Sequence, residues 1–415
     1  MRILYNLVLY LSDFILSLIS IVGKNQKIKS LKVGRKNTFA RLKQLPVKET
    51  KRVWAHAASL GEFEMLRPLL ESLEKKVSLE IHISFFSPSG YEHAKIPENW
   101  TKWYLLSDTT ANANYWINQL QPDFVVWAKY EFWLNHLSAL NRSNIPFVYW
   151  NLLLREKHFL GKLVFNSWRK EISKAKKLYC QDALTSQLSS QWFNATNEIG
   201  GDFRFLRAKI ETEKASSTNL DWNGVVKSKN ILIVGSAWEP ELKAIQYYLN
   251  SHTLPTENII IIAPHDVSES RISDIENQFI DYKTVRLSRL TENEKPEIIL
   301  VDSIGLLSRI YAVGNISIVG GGFVNALHNI VEPLSYGLPV LTGSKTHKFP
   351  EAALAEKHHA LLRCDTSEVL ASKLHDIWSD PEKLTELQHA AKDHFLSRVP
   401  DIEKATRDCL QFVTN

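Results

Sequence analysis

Short runs of apolar residues alternate along this chain with stretches whose apolar positions recur every three or four residues. RVWAHAA, IHISFF, DFVVWA, PFVYWN and KLYC are the first five runs. Helical patterns follow the first four: Glu64 to Lys76, a helix behind SPSG, Glu131 to Asn141, and a long basic helix reaching Lys177. Such alternation predicts βα units on a parallel sheet, whose strands are covered by helices on both faces and so read as continuous apolar runs. The interval 209–229, KIETEKASSTNLDWNGVVKSK, has no apolar period and is expected to be a linker. Beyond it NILIVGS, NIIIIAP, EIILVDS, NISIVGGG and LPVLTG restart the rhythm. For a chain of 415 residues the expectation is two doubly wound α/β domains, 23–208 and 230–415.

Ahead of the first strand, ILYNLVLYLSDFILSLISIV, Ile3 to Val22, has the length to cross a bilayer, but Asn6, Ser12, Asp13 and Ser17 interrupt it. Spanning the membrane and lying in its interface both fit, and a buried core helix is the other reading. No small-residue cleavage site follows, so residues 1–22 are expected to be an uncleaved anchor. From Lys24 to Arg52 there are eleven Lys or Arg against one acid, Glu49. That position favours an anionic membrane surface over nucleic acid as the partner, and the basic excess places the bulk of the protein in the cytoplasm. Composition (44% hydrophobic, 23% charged, formal charge +5) is that of a folded protein. The three cysteines, Cys180, Cys364 and Cys409, lie far apart without ligand spacing, which points to a reducing compartment and away from disulfides or zinc.

In open α/β sheets ligands bind where strands end and helices begin. After the first strand comes SLGE. Ser59 and Glu62 fit a capping box, while Gly61 between them would let a ligand approach the helix start; both readings stand at this point. After NISIV comes GGGFVNALHNIVEP, in which glycines precede a helical segment carrying His328, Asn329 and Glu332. Such a turn can receive a phosphate on backbone amides and a ribose on a carboxylate, as a nucleotide-sugar would require; a tight turn with a capped helix is the alternative. No GxxxxGK[ST], GxGxxG or HExxH is present, so no cofactor or metal is expected.

Taken together, HAASLGE, SPSG, YEFWLN, GSAWEPE, GGGFVNALHNIVEP and GLPVLTG resemble, in this order, the 3-deoxy-D-manno-octulosonic acid (Kdo) transferases. The resemblance implies a GT-B fold of two Rossmann-like domains, a membrane anchor, and metal-independent, inverting transfer of Kdo from CMP-Kdo to the lipid A precursor. It implies Glu62 as general base and Ser59, Gly61, Glu131 and Arg204 on the acceptor side. On the donor side it implies Ser236, His265, Gly321, Gly322, His328, Asn329 and Glu332. The chain departs from the family pattern at Lys129, where the family has Glu, and at Leu134, Leu153, Leu206 and Leu306.

The donor of such a reaction is already activated, so one carboxylate acting as base on the acceptor hydroxyl completes the chemistry. At a helix start Glu62 is expected to stay ionised. Rival readings are a UDP-sugar glycolipid transferase, a UDP-sugar epimerase of similar fold, for which the anchor has no use, and a catalytically weak binding protein. The eight cations from Arg155 to Lys177 suit acceptor phosphates, anionic head groups or a solvated helix face.

Overall fold

The apolar runs become two parallel sheets, each of seven strands among the described residues. The computed structural model describes residues 2–22, 26–215, 223–226, 230–291 and 294–414. The first sheet holds β1 (Lys51–Ala57), β2 (Leu79–Phe85), β3 (Thr101–Tyr104), β4 (Phe124–Ala128), β5 (Phe147–Leu152), β6 (Lys177–Cys180) and β7 (Asn197–Ile199), in the order β3-β2-β1-β4-β5-β6-β7. The second holds β8 (Asn230–Ala237), β9 (Asn258–Pro264), β10 (Thr284–Arg286), β11 (Ile298–Leu300), β12 (Ile316–Val319), β13 (Val340–Gly343) and β14 (Leu361–Cys364), in the order β10-β11-β9-β8-β12-β13-β14. In both sheets the chain fills one side of a central strand, β1 or β8, and then crosses to that strand's other side. The switch points fall between β1 and β4 and between β8 and β12, which is where an open α/β sheet opens a crevice for ligands.

Burial explains the sequence pattern. Every residue of β4, β9, β12 and β13 is buried, so these strands carry no polar alternation. Under the first sheet, Trp54 packs against Trp116 and Trp127 with ring centroids 5.2 and 5.0 Å away, large apolar areas that fix β1 against β4.

The chain divides into unit 1, Met1–Phe203 with Pro400–Asn415, and unit 2, Arg204–Val399. Two differences from expectation follow. The helix Ile402–Thr414, read as the end of the second domain, belongs to unit 1 because its inward face finds partners there. Thr406 donates to Ser72 at 2.9 Å, Asp408 pairs with Lys177 at 2.5 Å, and Cys409 is fully buried. The expected linker at 209–229 begins inside a helix, Phe203–Ala215, whose Phe205 and Ala208 join the core of unit 2. The remainder of that interval includes 216–222 and 227–229, which lie outside the described residues.

The N-terminal run forms helix α1 (Arg2–Val22), followed by α2 (Gln26–Lys43). Helix α1 is long and apolar enough to cross a membrane, and it is not a core helix: Leu7 is 64% and Phe14 61% exposed. Two of the residues that interrupted the apolar run, Asn6 and Asp13, turn toward the rest of unit 1. Asn6 accepts from Asn135 at 3.0 Å, Asp13 accepts from Ser107 at 2.7 Å and faces Arg35 at 3.5 Å, and Tyr5 donates to Asp108 at 2.7 Å.

The basic cluster behind α1 proves partly structural. Arg52 is buried and paired with Glu80, Lys48 and Lys51 hold Asp123, Arg35 reaches Asp13 and Arg41 lies over Trp103. These charges are satisfied within the fold, which leaves fewer for a membrane than the count suggested. The expected long basic helix also breaks up, into short 3-10 turns at Phe159–Gly161 and Leu163–Phe165 and a helix at Asn166–Ile172.

Candidate active site

In unit 1 the switch point brings together the end of β1 and the end of β4. A third helix, α3 (Leu60–Lys76), starts directly behind β1 with Ser59 as its N-cap in extended geometry. The capping box is not formed: the Ser59 hydroxyl accepts no cap bond, and Glu62 reaches past the cap to take the Ala58 amide at 2.7 Å. Glu62 is 7% exposed. A side chain at Gly61, which is exposed, would meet nothing within 4 Å, so packing does not demand glycine there. Burial first, and the charge of Glu131 second, push the Glu62 carboxyl above its ordinary range. The Ala58 amide, Lys129 and His56 pull the other way without winning. The expected dominance of the helix field is therefore corrected: Glu62 is a better proton acceptor than an exposed carboxylate.

Glu131 is buried in the loop ahead of the following helix, which begins only at Leu134. Its Oε2 accepts from Trp133 Nε1 at 2.8 Å and lies 3.3 Å from His56 Nε2, while His56 Nδ1 meets Ser84 Oγ at 2.7 Å. His56 and Trp133, both inside the quoted motifs, were not singled out from sequence, although a buried histidine at a strand end beside a glutamate is the signal that would have found them. Lys129 sits in left-handed backbone, φ 45°, its amide bonded to Trp150 O at 2.9 Å. That fixes a cation where the family pattern carries an acid, near enough to Glu62 to favour its charged form.

Unit 2 joins the loops after β8 and β12. Ser236 is in left-handed backbone, φ 50°, at an irregularity in β8. Just after it Trp238 stacks on His265 at 4.5 Å and donates through Nε1 to His328 Nε2 at 3.2 Å. That bond makes Nε2 the acceptor. Burial, with His265 next, lowers the His328 pKa, so the neutral ring keeps its proton on Nδ1. Gly321 adopts φ 87°, and a Cβ there would lie 2.1 Å from Ala326 O, so only glycine fits. Its amide does not wait for a phosphate: the fully buried Glu241 takes it at 3.2 Å and the Trp238 amide at 3.0 Å, and Gly320 N bonds Gly235 O. Trp238 and Glu241 are thus residues that the sequence reading passed over within GSAWEPE. Burial pushes the Glu241 carboxyl up to about 7. Gly322 packs on Thr342 and Gly343. Asn329 accepts from the Val331 amide at 3.0 Å and donates to Glu332 Oε1 at 2.9 Å. Arg204, expected on the acceptor side, falls in unit 2 and is paired with Glu351 at 2.9 Å. No group of three or more His, Cys, Asp or Glu suited to a metal occurs among the described residues.

Residues 34–206, spanning both Glu62 and Glu131, match the family profile of the 3-deoxy-D-manno-octulosonic acid transferases. The enzyme of that name from Haemophilus influenzae is 28% identical over 323 residues, 72% of each chain, and that from Aquifex aeolicus is 25% identical over 79% of this chain and 86% of its own. The chain is similar to the Kdo transferases, by the family profile over part of its first unit and by these relatives over most of its length. Its fold is also that of a UDP-GlcNAc 2-epimerase from Neisseria meningitidis, with a TM-score of 0.60 at 12% identity, covering 88% of this chain and 99% of the other. That likeness concerns fold alone, and confirms the expected GT-B class of two Rossmann-like units. The similarity to Kdo transferases supports a glycosyltransferase activity.

A pH dependence follows from the charges around Glu62. If Glu62 is the base, it must be ionised to act, and the rate should fall on acidification at a pH above the ordinary carboxylate range. Lys129→Met removes a charge that stabilises the carboxylate and should move the acid limb to higher pH; Glu131→Gln should move it lower. Rate profiles of the two variants check both signs, and identical limbs would exclude Glu62 as the titrating group.

Proposed function

We propose that the chain transfers Kdo from CMP-Kdo to the lipid A precursor, with inversion, without a metal, and with Glu62 as general base. The observation that carries this reading is a buried carboxylate of raised pKa at the switch point of unit 1, held by the Ala58 amide beside the charges of Glu131 and Lys129. In the reaction the acceptor hydroxyl gives its proton to Glu62 as its oxygen bonds to the anomeric carbon, and CMP leaves with the electron pair of the broken bond. Glu131, held by Trp133 and His56, positions the acceptor. In unit 2 the ring cluster of Trp238, His265 and His328 and the Asn329–Glu332 pair provide stacking and hydrogen-bonding groups suited to a nucleotide. Incubating membranes that contain the protein with a CMP-Kdo generating system and lipid A precursor, then weighing the lipid, tests the proposal. One or two added Kdo masses support it, and none under conditions where the protein binds CMP favours a binding role. Tighter binding of UDP than of CMP would favour a UDP-sugar donor.

Helix α1 holds the enzyme to the cytoplasmic face of the inner membrane by lying in the interface. Its 21 residues extend about 32 Å, enough to span, but spanning would tear Tyr5, Asn6 and Asp13 from their partners in unit 1. Lying flat keeps those bonds and offers the apolar face to lipid. Leu7→Asp with Phe14→Asp should shift most of the protein to the soluble fraction, since both side chains are exposed and neither supports the fold. Unchanged sedimentation with membranes would remove α1 as the anchor.

A further inference from the structure

The segment expected to form one long basic helix instead projects a small amphipathic knob. At the turn Leu163–Phe165, Leu163 is 83% and Val164 51% exposed. Exposed lysines surround them in the chain: Lys157, Lys162, Lys170, Lys174 and Lys176. Among the described residues none of these five has an ion-pair partner, whereas Arg155 is paired with Asp182 and Lys177 with Glu198 and Asp408. After the turn, Arg169, Lys170, Glu171, Lys174, Trp192 and Asn194 line an open hollow of about 730 Å³. Its floor is firm: Arg169 donates to Leu160 O at 2.6 Å, and Ser173 Oγ accepts from the Asn194 amide at 3.0 Å. The knob is also braced against the anchor. Trp168 packs on Phe165 and Phe159 and receives Tyr5 of α1 edge-on at 5.0 Å.

We infer that this knob is a second membrane-docking surface, with Leu163 and Val164 entering an anionic phospholipid surface and Lys170 and Lys174 engaging its phosphates. Two exposed aliphatic side chains are too little for a stable protein interface, which needs roughly 800 Å² from each partner. They suit shallow insertion beneath head groups, where neighbouring lysines reach phosphate while their stems stay in apolar surroundings. Five of the eleven cations of the N-terminal stretch are engaged by side chains of the fold, whereas the five lysines around the knob have no ion-pair partner among the described residues. The surface rests on the interfacial reading of α1 for its orientation, but it is tested separately.

All three native cysteines are buried, so a thiol-reactive, polarity-sensitive fluorophore attached through Leu163→Cys reports the knob, and one through Leu11→Cys reports α1. The full chain is mixed with phosphatidylcholine vesicles with and without phosphatidylglycerol. The expected result is a blue shift and a brightening of at least twofold at position 163 on the anionic vesicles. That response should fade at raised salt and in Lys170→Glu with Lys174→Glu, while position 11 still responds. A silent probe at 163 beside a responding probe at 11 overturns the knob and leaves α1 intact; the opposite pattern supports the knob and overturns α1. A response at 163 that ignores lipid charge and the lysine reversal overturns the phosphate contact. Brightening that follows protein concentration without vesicles assigns the knob to a second copy of the chain instead.

Discussion

Glu62→Gln should lower the rate of Kdo transfer by about 100-fold or more while leaving folding and CMP binding in place. The substitution keeps the shape of the side chain and an oxygen for the Ala58 amide, the one hydrogen bond by which Glu62 ties β1 to α3. It removes the proton acceptor. A purely architectural role predicts a different result: loss of stability of at most about 1 kcal/mol and a normal rate. The structure sharpens the contrast, because the carboxylate is buried near Glu131, and neutralising it relieves a repulsion. The variant is therefore expected to melt no earlier than the parent. A protein that transfers at the parental rate would leave Glu62 as a strand-to-helix tie and nothing more.

Glu332→Gln should weaken CMP binding about tenfold or more, on the scale of a hydrogen bond to a charged group. One oxygen of Glu332 already accepts from Asn329, which holds the carboxylate in place and leaves the second oxygen for ribose hydroxyls. An amide offers one acceptor where the carboxylate offers two, and keeping the Asn329 bond would turn its NH₂ toward the sugar. Glu131→Gln, in the other unit, should leave CMP affinity nearly unchanged. Calorimetry with CMP compares the two directly, and the reverse ranking would move the donor site to unit 1.

What could be read from the sequence was the part of the fold that is buried from both sides. All ten strands expected from apolar runs are present, because a strand covered by helices has no freedom to be polar. The four that escaped notice, β3, β7, β10 and β14, lie at or next to the sheet edges; β7 is Asn-Glu-Ile and β10 Thr-Val-Arg, three residues each with little apolar content. Motif reading located both loop pairs but not what holds them. His56 and Glu241 gain their roles from neighbours that only the strand order brings close, β4 beside β1 and β12 beside β8. The Ser59 and Glu62 spacing fitted a cap, yet the same carboxylate found a nearer amide at Ala58. The 155–177 segment failed as a helix because its Phe159, Phe165 and Trp168 are drawn into one aromatic cluster that a single straight helix would not assemble.

The return of Ile402–Thr414 to unit 1 sets the order in which a nascent chain can finish its parts. Unit 2 lies wholly between Arg204 and Val399, so it has every residue it needs while unit 1 still lacks the helix that covers Ser72, Lys177 and Phe124. At ribosomal speeds of about 5–20 residues per second, that covering helix arrives roughly 10–40 s after Phe203. Throughout that interval α1 has already left the ribosome, so the half-closed domain spends its most vulnerable period with both that apolar helix and the face awaiting Ile402–Thr414 uncovered.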